Sequence, residues 1–261
     1  MTKRNIGPIL AGIAAVGLAM APMSAKAILF TGSSGSLGAS ADFNVVGTNL
    51  VVTLTNTSAA DVLVPADVLT GVYFSGLSTA TSLSAVLSPG STVIQDSQPA
   101  GGVVGGEWAL GLGLSAPGGA TAFLSSTGAG SFVGQPTFPG PNLGGPVGVN
   151  GLQYGLVSAG DNAATGNGGV LGADGLIDNS VTFALGSLPS GFSLASIGNV
   201  SFQYGTSLSE PIVPGTPGGQ CPNGAPNFPI CSPQVSTPEP MSMALLGAGM
   251  VGLGLLRRRR A

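Results

Sequence analysis

The sequence predicts an all-β protein: a single β-sandwich or jelly-roll-like domain, followed by a proline-rich stalk and a C-terminal transmembrane helix. Short runs of β-branched and apolar residues recur throughout positions 28–205, and Gly, Pro, Asn or Ser separates them. No stretch between residues 28 and 236 keeps a 3.6-residue apolar period over three turns. Many short strands with frequent turns are typical of sandwiches and jelly rolls, so we expect a body with little helix.

Glycine and proline punctuate the whole chain without making its composition that of a disordered protein. The 261 residues include 45 Gly and 20 Pro, a share close to that of low-complexity chains. However, 43% of the residues are hydrophobic and only 7% are charged, whereas disorder goes with the opposite balance. The absence of histidine removes the commonest general base and the commonest metal ligand.

The charges are strongly segregated along the chain. All seven Lys and Arg residues lie within the first 26 or the last five positions, and none lies between Ile28 and Ser236. That central stretch carries only acids, which are Asp42, Asp61, Asp67, Asp96, Glu107, Asp161, Asp174, Asp178 and Glu210. A body without cations cannot clamp phosphates, which argues against nucleic-acid binding. Its carboxylates must be solvated, capped by backbone N–H groups or bound to a cation.

Residues 1–27 have the features of a secretory signal peptide. Lys3 and Arg4 form a basic start, and the apolar stretch Ile6–Met23 follows. Ala25 and Ala27 supply the small residues of an Ala-x-Ala cleavage site, which predicts cleavage after Ala27. The alternative is an uncleaved anchor helix, and the Ala-x-Ala site argues against it.

Ten strands are predicted in the body, residues 28–205. The first two flank Gly47-Thr48-Asn49 and are expected to form a hairpin. One helical turn is predicted within Pro189–Ile197, and Ser126–Asn150 is expected to be a long surface loop because of its four prolines and many glycines. The predicted strands are Asp42–Val46, Leu50–Asn56, Asp61–Val64, Val68–Ser75, Leu83–Leu87, Glu107–Leu114, Ala120–Ser125, Leu152–Ser158, Ser180–Leu185 and Asn199–Tyr204.

Residues 206–237 are predicted to form a stalk, because regularly spaced prolines favour an extended, semi-rigid chain. Cys221 and Cys231, the two cysteines of the chain, both lie in it. In an exported protein such a pair is expected to form a disulfide. Free thiols or an intermolecular bond are the alternatives. Two ligands without a histidine cannot build a structural zinc site.

The C-terminus, residues 238–261, has three parts in order. Pro238, Glu239 and Pro240 come first, and Met241–Leu256 follows without a charge. Sixteen helical residues extend over roughly 24 Å, somewhat less than the ~30 Å hydrocarbon core of a bilayer, and long arginine side chains can bridge the difference. The third part is a basic cluster, Arg257, Arg258, Arg259 and Arg260. Such a cluster after an apolar run predicts that this end lies on the cytoplasmic side.

This tripartite C-terminus resembles the PEP-CTERM sorting signal. The likeness covers only residues 238–261, but the ordered triple together with an N-terminal signal peptide makes it specific. It implies recognition by an exosortase, a membrane protease-transpeptidase of Gram-negative bacteria that cuts near Pro-Glu-Pro and passes the body toward the cell surface or matrix. Proteins with this signal often belong to species that secrete exopolysaccharide and form biofilms. The alternative is a plain single-pass anchor.

Few residues of the body suggest chemistry. No Gly-x-Ser-x-Gly elbow occurs, and no histidine is present to activate a serine. The Glu107–Trp108 dipeptide is the one most suggestive of a sugar-binding site. The alternative is that Glu107 is a solvated strand residue and Trp108 a core residue. Asp161, Asp174 and Asp178 lie in an acid-rich, Gly-rich segment that suggests calcium, although the EF-hand spacing fails and turn-forming residues are the alternative.

The sequence therefore predicts an exported, non-enzymatic cell-surface or matrix protein that needs no cofactor. Its precursor is expected to be anchored in the inner membrane, and its processing partners are signal peptidase and exosortase, with exopolysaccharide as a further partner. A calcium- or polysaccharide-binding adhesin module is the first alternative. A polysaccharide hydrolase that uses two carboxylates is the second, because such enzymes need only a pair of acids.

Overall fold

A computed structural model describes residues 27–128 and 134–218. Within them the chain forms fourteen short strands and one four-residue α-helix, Gly168–Leu171, so the prediction of an all-β protein is confirmed. No helix in this part is long and apolar enough to cross a membrane. In chain order the strands are β1 (Ala27–Ser34), β2 (Leu37–Val46), β3 (Asn49–Asn56), β4 (Leu69–Ser75), β5 (Thr81–Leu87), β6 (Thr92–Ile94), β7 (Ala109–Leu112), β8 (Ala122–Ser125), β9 (Leu156–Val157), β10 (Leu176–Asp178), β11 (Ser180–Gly186), β12 (Gly198–Tyr204), β13 (Ile212–Pro214) and β14 (Thr216–Pro217).

The strands form two sheets. The first has the order β14-β1-β2-β3-β11-β5, in which every pair is antiparallel. The second runs β13-β12-β4-β9-β10-β6, with β8 also pairing with β4 and β7 pairing with β8. Only β9 and β10 run parallel among these pairs. The chain moves repeatedly from one sheet to the other, so neither sheet is built from one continuous piece of sequence.

The β2–β3 hairpin shows how the sequence sets the local structure. Val46 pairs with Asn49 across a two-residue turn, and Gly47 has a φ of 62°, a conformation that glycine adopts without strain. Along β3 every second side chain is buried, as expected of a strand with one face on a core. The predicted hairpin is thus confirmed.

One hydrophobic core receives side chains from both sheets. Phe43 of β2 and Phe74 of β4 meet edge to face with their ring centroids 5.2 Å apart. Trp108 packs in the same way on Phe183 of β11, at 5.1 Å. Aromatic pairs of this geometry add roughly 0.5–1.5 kcal/mol to the stabilisation that burial provides. The inner faces of the two sheets are therefore in direct contact.

Three of the sequence predictions for the body need correction. The predicted strand Asp61–Val64 is irregular and leads into the 3₁₀ turn Pro65–Asp67, whose Asp67 carboxylate accepts hydrogen bonds from the backbone N–H groups of Leu63 and Val64, each at 3.1 Å. The predicted strand Leu152–Ser158 is reduced to the two residues of β9. The segment Ser126–Asn150 is not wholly a surface loop, since Phe138 within it is 1% exposed.

Part of the segment that was predicted as a stalk is paired with the folded body instead. Residues 206–237 were expected to be a stalk, yet β13 and β14 within this segment pair with β12 and β1. Prolines are compatible with these positions because both strands are at the edges of their sheets. The helical turn predicted within Pro189–Ile197 is confirmed as the 3₁₀ turn Leu194–Ser196.

Several predicted features lie outside the described residues. They are residues 1–26 of the signal peptide, which include Ala25 of the cleavage site, the cysteine pair Cys221 and Cys231, and the C-terminal segment 238–261.

Candidate functional site

Body carboxylates are used mainly as acceptors for backbone N–H groups. The Glu210 carboxylate accepts from Thr206 and Ser207 at 2.6 and 2.7 Å, and thereby fixes the turn between β12 and β13. Asp67 stabilises the turn at Leu63 in the same way. This use follows from composition, because the central stretch has no Lys or Arg to pair with its acids. Charge-assisted bonds of this kind are roughly twice as strong as neutral ones.

Glu107 is the most deeply buried of these carboxylates. It lies in the 3₁₀ turn Gly105–Glu107 and is 1% exposed, so it is neither a strand residue nor solvated. Its Oε1 accepts hydrogen bonds from the backbone N–H groups of Leu143 and Gly144. Burial raises the pKa of Glu107, the two backbone hydrogen bonds oppose that rise, and the charge of Asp174 adds to it. Glu107 therefore holds the Pro- and Gly-rich segment around residue 143 against the body.

Trp108 has no exposed surface. It packs on Phe183 in the core, which agrees with the interpretation of Trp108 as a core residue and leaves no indole face for a sugar ring. Its neighbour Ala109 forms a bridge with Thr137, and the N–H of Phe138 donates to the Trp108 carbonyl at 2.9 Å. The Glu107–Trp108 pair thus anchors a loop rather than lining a cleft.

A second group of polar side chains surrounds Tyr154. The Tyr154 hydroxyl donates to Asp96 at 3.0 Å, and the side-chain amide of Gln153 donates to Asp174 at 3.4 Å. Burial raises the pKa of Tyr154, and the nearby carboxylates of Asp96, Glu107 and Asp174 raise it further. Two acids, Glu107 and Asp174, are therefore electrostatic neighbours. Neither of them lines the cavity beside Thr127 and Val147, the cavity beside Asn56 and Ser158, or the cavity beside Val45 and Phe192.

The three candidate calcium ligands do not come together. Asp161 accepts a hydrogen bond from the N–H of Val62 at 2.6 Å, and its charge helps to raise the pKa of Asp178, whose main cause is burial. The charge of Asp174 instead contributes to the raised pKa of Glu107. In residues 27–128 and 134–218 no group of three or more His, Cys, Asp or Glu side chains is arranged to hold a metal ion. Asp161, Asp174 and Asp178 thus do not form one three-carboxylate group in the described part of the chain, and calcium binding by these residues stays a prediction.

A polar groove lies close to Asp161, at the end of β3. It has a volume of about 340 Å³, and Asn56, Ser58, Asp61, Ser158 and Asn179 are among the residues that line it. Asn56 is 2% exposed and is held by bonds of 2.8 Å to the Leu156 carbonyl and 2.9 Å from the Ser58 N–H. The Asn56 amide is thus already engaged, and contact with sugar hydroxyls would use the other hydroxyl and amide groups of the lining, such as Ser158 and Asn179. The sequence predictions do not include this groove. The pattern that could have indicated it is the polar run Thr55-Asn56-Thr57-Ser58 at the end of β3.

A comparison of the chain with protein-family models, with curated proteins and with solved structures finds no significant match. The functional argument therefore depends on the residues of this chain alone.

Proposed function

We propose that this chain is the precursor of an exported, non-enzymatic protein of the cell surface or extracellular matrix, sorted by an exosortase. The observation that carries the proposal is the ordered C-terminus: Pro238-Glu239-Pro240, the uncharged run Met241–Leu256 and the cluster Arg257–Arg260. The signal peptide at the other end supplies the export that such sorting requires. In this proposal Pro238, Glu239 and Pro240 are substrate residues of the exosortase, and the body is a β-sandwich that is its cargo.

The pairing of β1 is compatible with cleavage after Ala27. Strand β1 begins at Ala27, and Ile28 already pairs with Phe43 of β2. Removal of residues 1–27 therefore leaves the first strand with nearly all of its pairing. The new N-terminus would lie at the first residue of the shortened β1, where Ile28 is partly exposed and a free amino group can remain in water.

The chemistry of the body supports a structural rather than a catalytic role. Glu107, Asp67 and Glu210 are each engaged by two backbone N–H groups, so they hold loops in place. The absence of Lys and Arg between Ile28 and Ser236 also keeps the body from binding acidic polysaccharide directly. Contact with such a matrix would use neutral hydroxyls or a bridging divalent cation.

Fractionation of the native host tests the proposal. The triple substitution Pro238→Ala, Glu239→Ala and Pro240→Ala should keep the protein in the inner membrane, because the exosortase loses its recognition sequence. Deletion of the exosortase should have the same effect on the unchanged chain. The matched control is Pro229→Ala with Pro233→Ala, which removes two stalk prolines and should leave sorting intact. Equal distribution of the triple variant and the control would contradict the proposal.

A further inference from the structure

Residues 212–218, here named the strap, join the edges of both sheets. β13 pairs antiparallel with β12 of the second sheet, with Val213 opposite Phe202. One residue later β14 pairs with β1 of the first sheet, with Thr216 opposite Thr31. The N–H of Gly218 then donates to the Leu29 carbonyl at 2.7 Å. A single segment of seven residues therefore covers the outer edges of β12 and β1 together.

The strap fits closely at the point where it crosses between the sheets. Gly215 donates its N–H to the Val200 carbonyl at 2.8 Å, and a Cβ atom there would lie 3.0 Å from the Val200 side chain. On the other side, a Cβ atom on Gly32 would lie 2.6 Å from the Pro214 carbonyl oxygen. The strap thus lies tightly against Gly32 of β1 through Pro214, and Gly215 within it lies tightly against Val200 and Phe202 of β12.

The strap is held by far less than the strands it covers. Val213 is its one buried side chain, and Pro214 and Pro217 have no N–H to donate to the neighbouring strands. By contrast, β1 shares eight residue pairs with β2, and the five consecutive side chains of Val200–Tyr204 in β12 are buried. Segments with few buried apolar contacts open without the rest of a domain. No described strand follows the strap along the chain, so its opening displaces none of the other described strands.

Opening of the strap would expose two strand edges that are covered in the closed form. Exposed edges pair readily with strands of other chains, and proline on an edge strand prevents such pairing. In the closed form the outermost strands β13 and β14 end in Pro214 and Pro217, which protect both edges. In the open form β12 and β1 present unpaired N–H and C=O groups whose natural complement is another copy of the strap.

We propose that the strap opens independently of the rest of the body, and that the groove between β12 and β1 accepts the strap of a second copy of the chain. The result is strand exchange between copies, a route to dimers that needs no new interface. The turn fixed by Glu210 is the hinge of this exchange, since it connects β12 to the strap. The inference stands independently of the proposed function.

Two glycine substitutions in the full mature chain test the strap and its groove separately. Gly215→Val places a side chain against Val200 and Phe202, so it displaces the chain's own strap and leaves the groove open. Gly32→Val narrows the groove itself. Gly160→Val is the control, because a Cβ atom there meets nothing within 4 Å. The probe is a fluorescent peptide with the sequence of residues 206–218.

We expect saturable binding of the peptide to Gly215→Val, at least about tenfold tighter than to the unchanged chain, to Gly32→Val or to the control. Hydrogen exchange of the unchanged chain should be at least about tenfold faster in the strap than in the β2–β3 hairpin. Peptide binding to none of the variants, or equally to all, would overturn the proposal. So would equal protection of the strap and the hairpin, which is measurable even if a variant fails to fold.

Discussion

Gly106→Ala should lower the free energy of unfolding of the body by about 3 kcal/mol or more. A Cβ atom on Gly106 would lie 2.0 Å from the Pro141 carbonyl oxygen and 3.0 Å from the Asn142 nitrogen. Both atoms belong to backbone that the Glu107 carboxylate holds in place through Leu143. The added methyl group must therefore push apart the turn Gly105–Glu107 and the segment docked on it, which also exposes the core around Trp108.

Gly160→Ala is the matched control for this substitution. The two changes add the same atom, but Gly160 is exposed and has open space around its Cβ position. We expect Gly160→Ala to change stability by less than about 0.5 kcal/mol. Urea denaturation of the two variants and the unchanged chain gives the comparison. Equal stability of Gly106→Ala and Gly160→Ala would show that the loop does not dock on the turn as described.

The body should become more stable as the pH falls from 7 toward about 4.5. Burial raises the pKa values of Glu107, Asp161 and Asp178. A carboxyl whose pKa is higher in the folded than in the unfolded chain keeps its proton longer when folded. The free energy of unfolding therefore falls as the pH rises from about 4, the pKa of an unfolded carboxyl, through the raised pKa of the folded chain. It increases again when the pH is lowered over the same range. Protonation also relieves repulsion in a body that has no Lys or Arg.

Thermal unfolding at pH 7 and pH 5 tests this sign, with an expected rise in Tm of roughly 3 °C or more at the lower pH. Glu107→Gln keeps the shape of the side chain and removes its titration, so it should reduce the rise. The body should also lose stability at high pH. Burial raises the pKa of Tyr204 to about 12, so an unfolded chain releases this proton above about pH 10 while the folded chain still holds it. A Tm that increases from pH 5 to pH 7 would contradict the assignment of these carboxyls as desolvated.

Strands with strong local patterns could be predicted from the sequence, and the proline-containing edge strands β13 and β14 could not. β3 alternates apolar and polar residues after a glycine turn, so its position and its hairpin were evident. β13 and β14 contain prolines that suggested a stalk, because only the fold shows that they lie at sheet edges. β1 was missed because it includes Gly32 and several small polar residues and begins at the predicted cleavage site.

The predicted site residues show the same limit. Asp161, Asp174 and Asp178 are close in sequence, yet in the described residues they do not form one group of three: the charge of Asp174 acts on Glu107, and that of Asp161 acts on Asp178. The burial of Glu107 depends on Leu143, 36 residues away, and no local pattern encodes that contact. The use of acids as caps was foreseeable in general from the lack of cations, but not which N–H groups they would accept.

Mass spectrometry of the mature protein from its native host tests the sorting proposal most directly. The account predicts an N-terminus at Ile28 and a C-terminus near Pro238-Glu239-Pro240, with no peptide from Arg257–Arg260. In a host without the exosortase, the same N-terminus should appear together with the intact arginine tail. A mature surface protein that retains Arg257–Arg260 when the exosortase is present would contradict the account and leave a plain membrane anchor in its place.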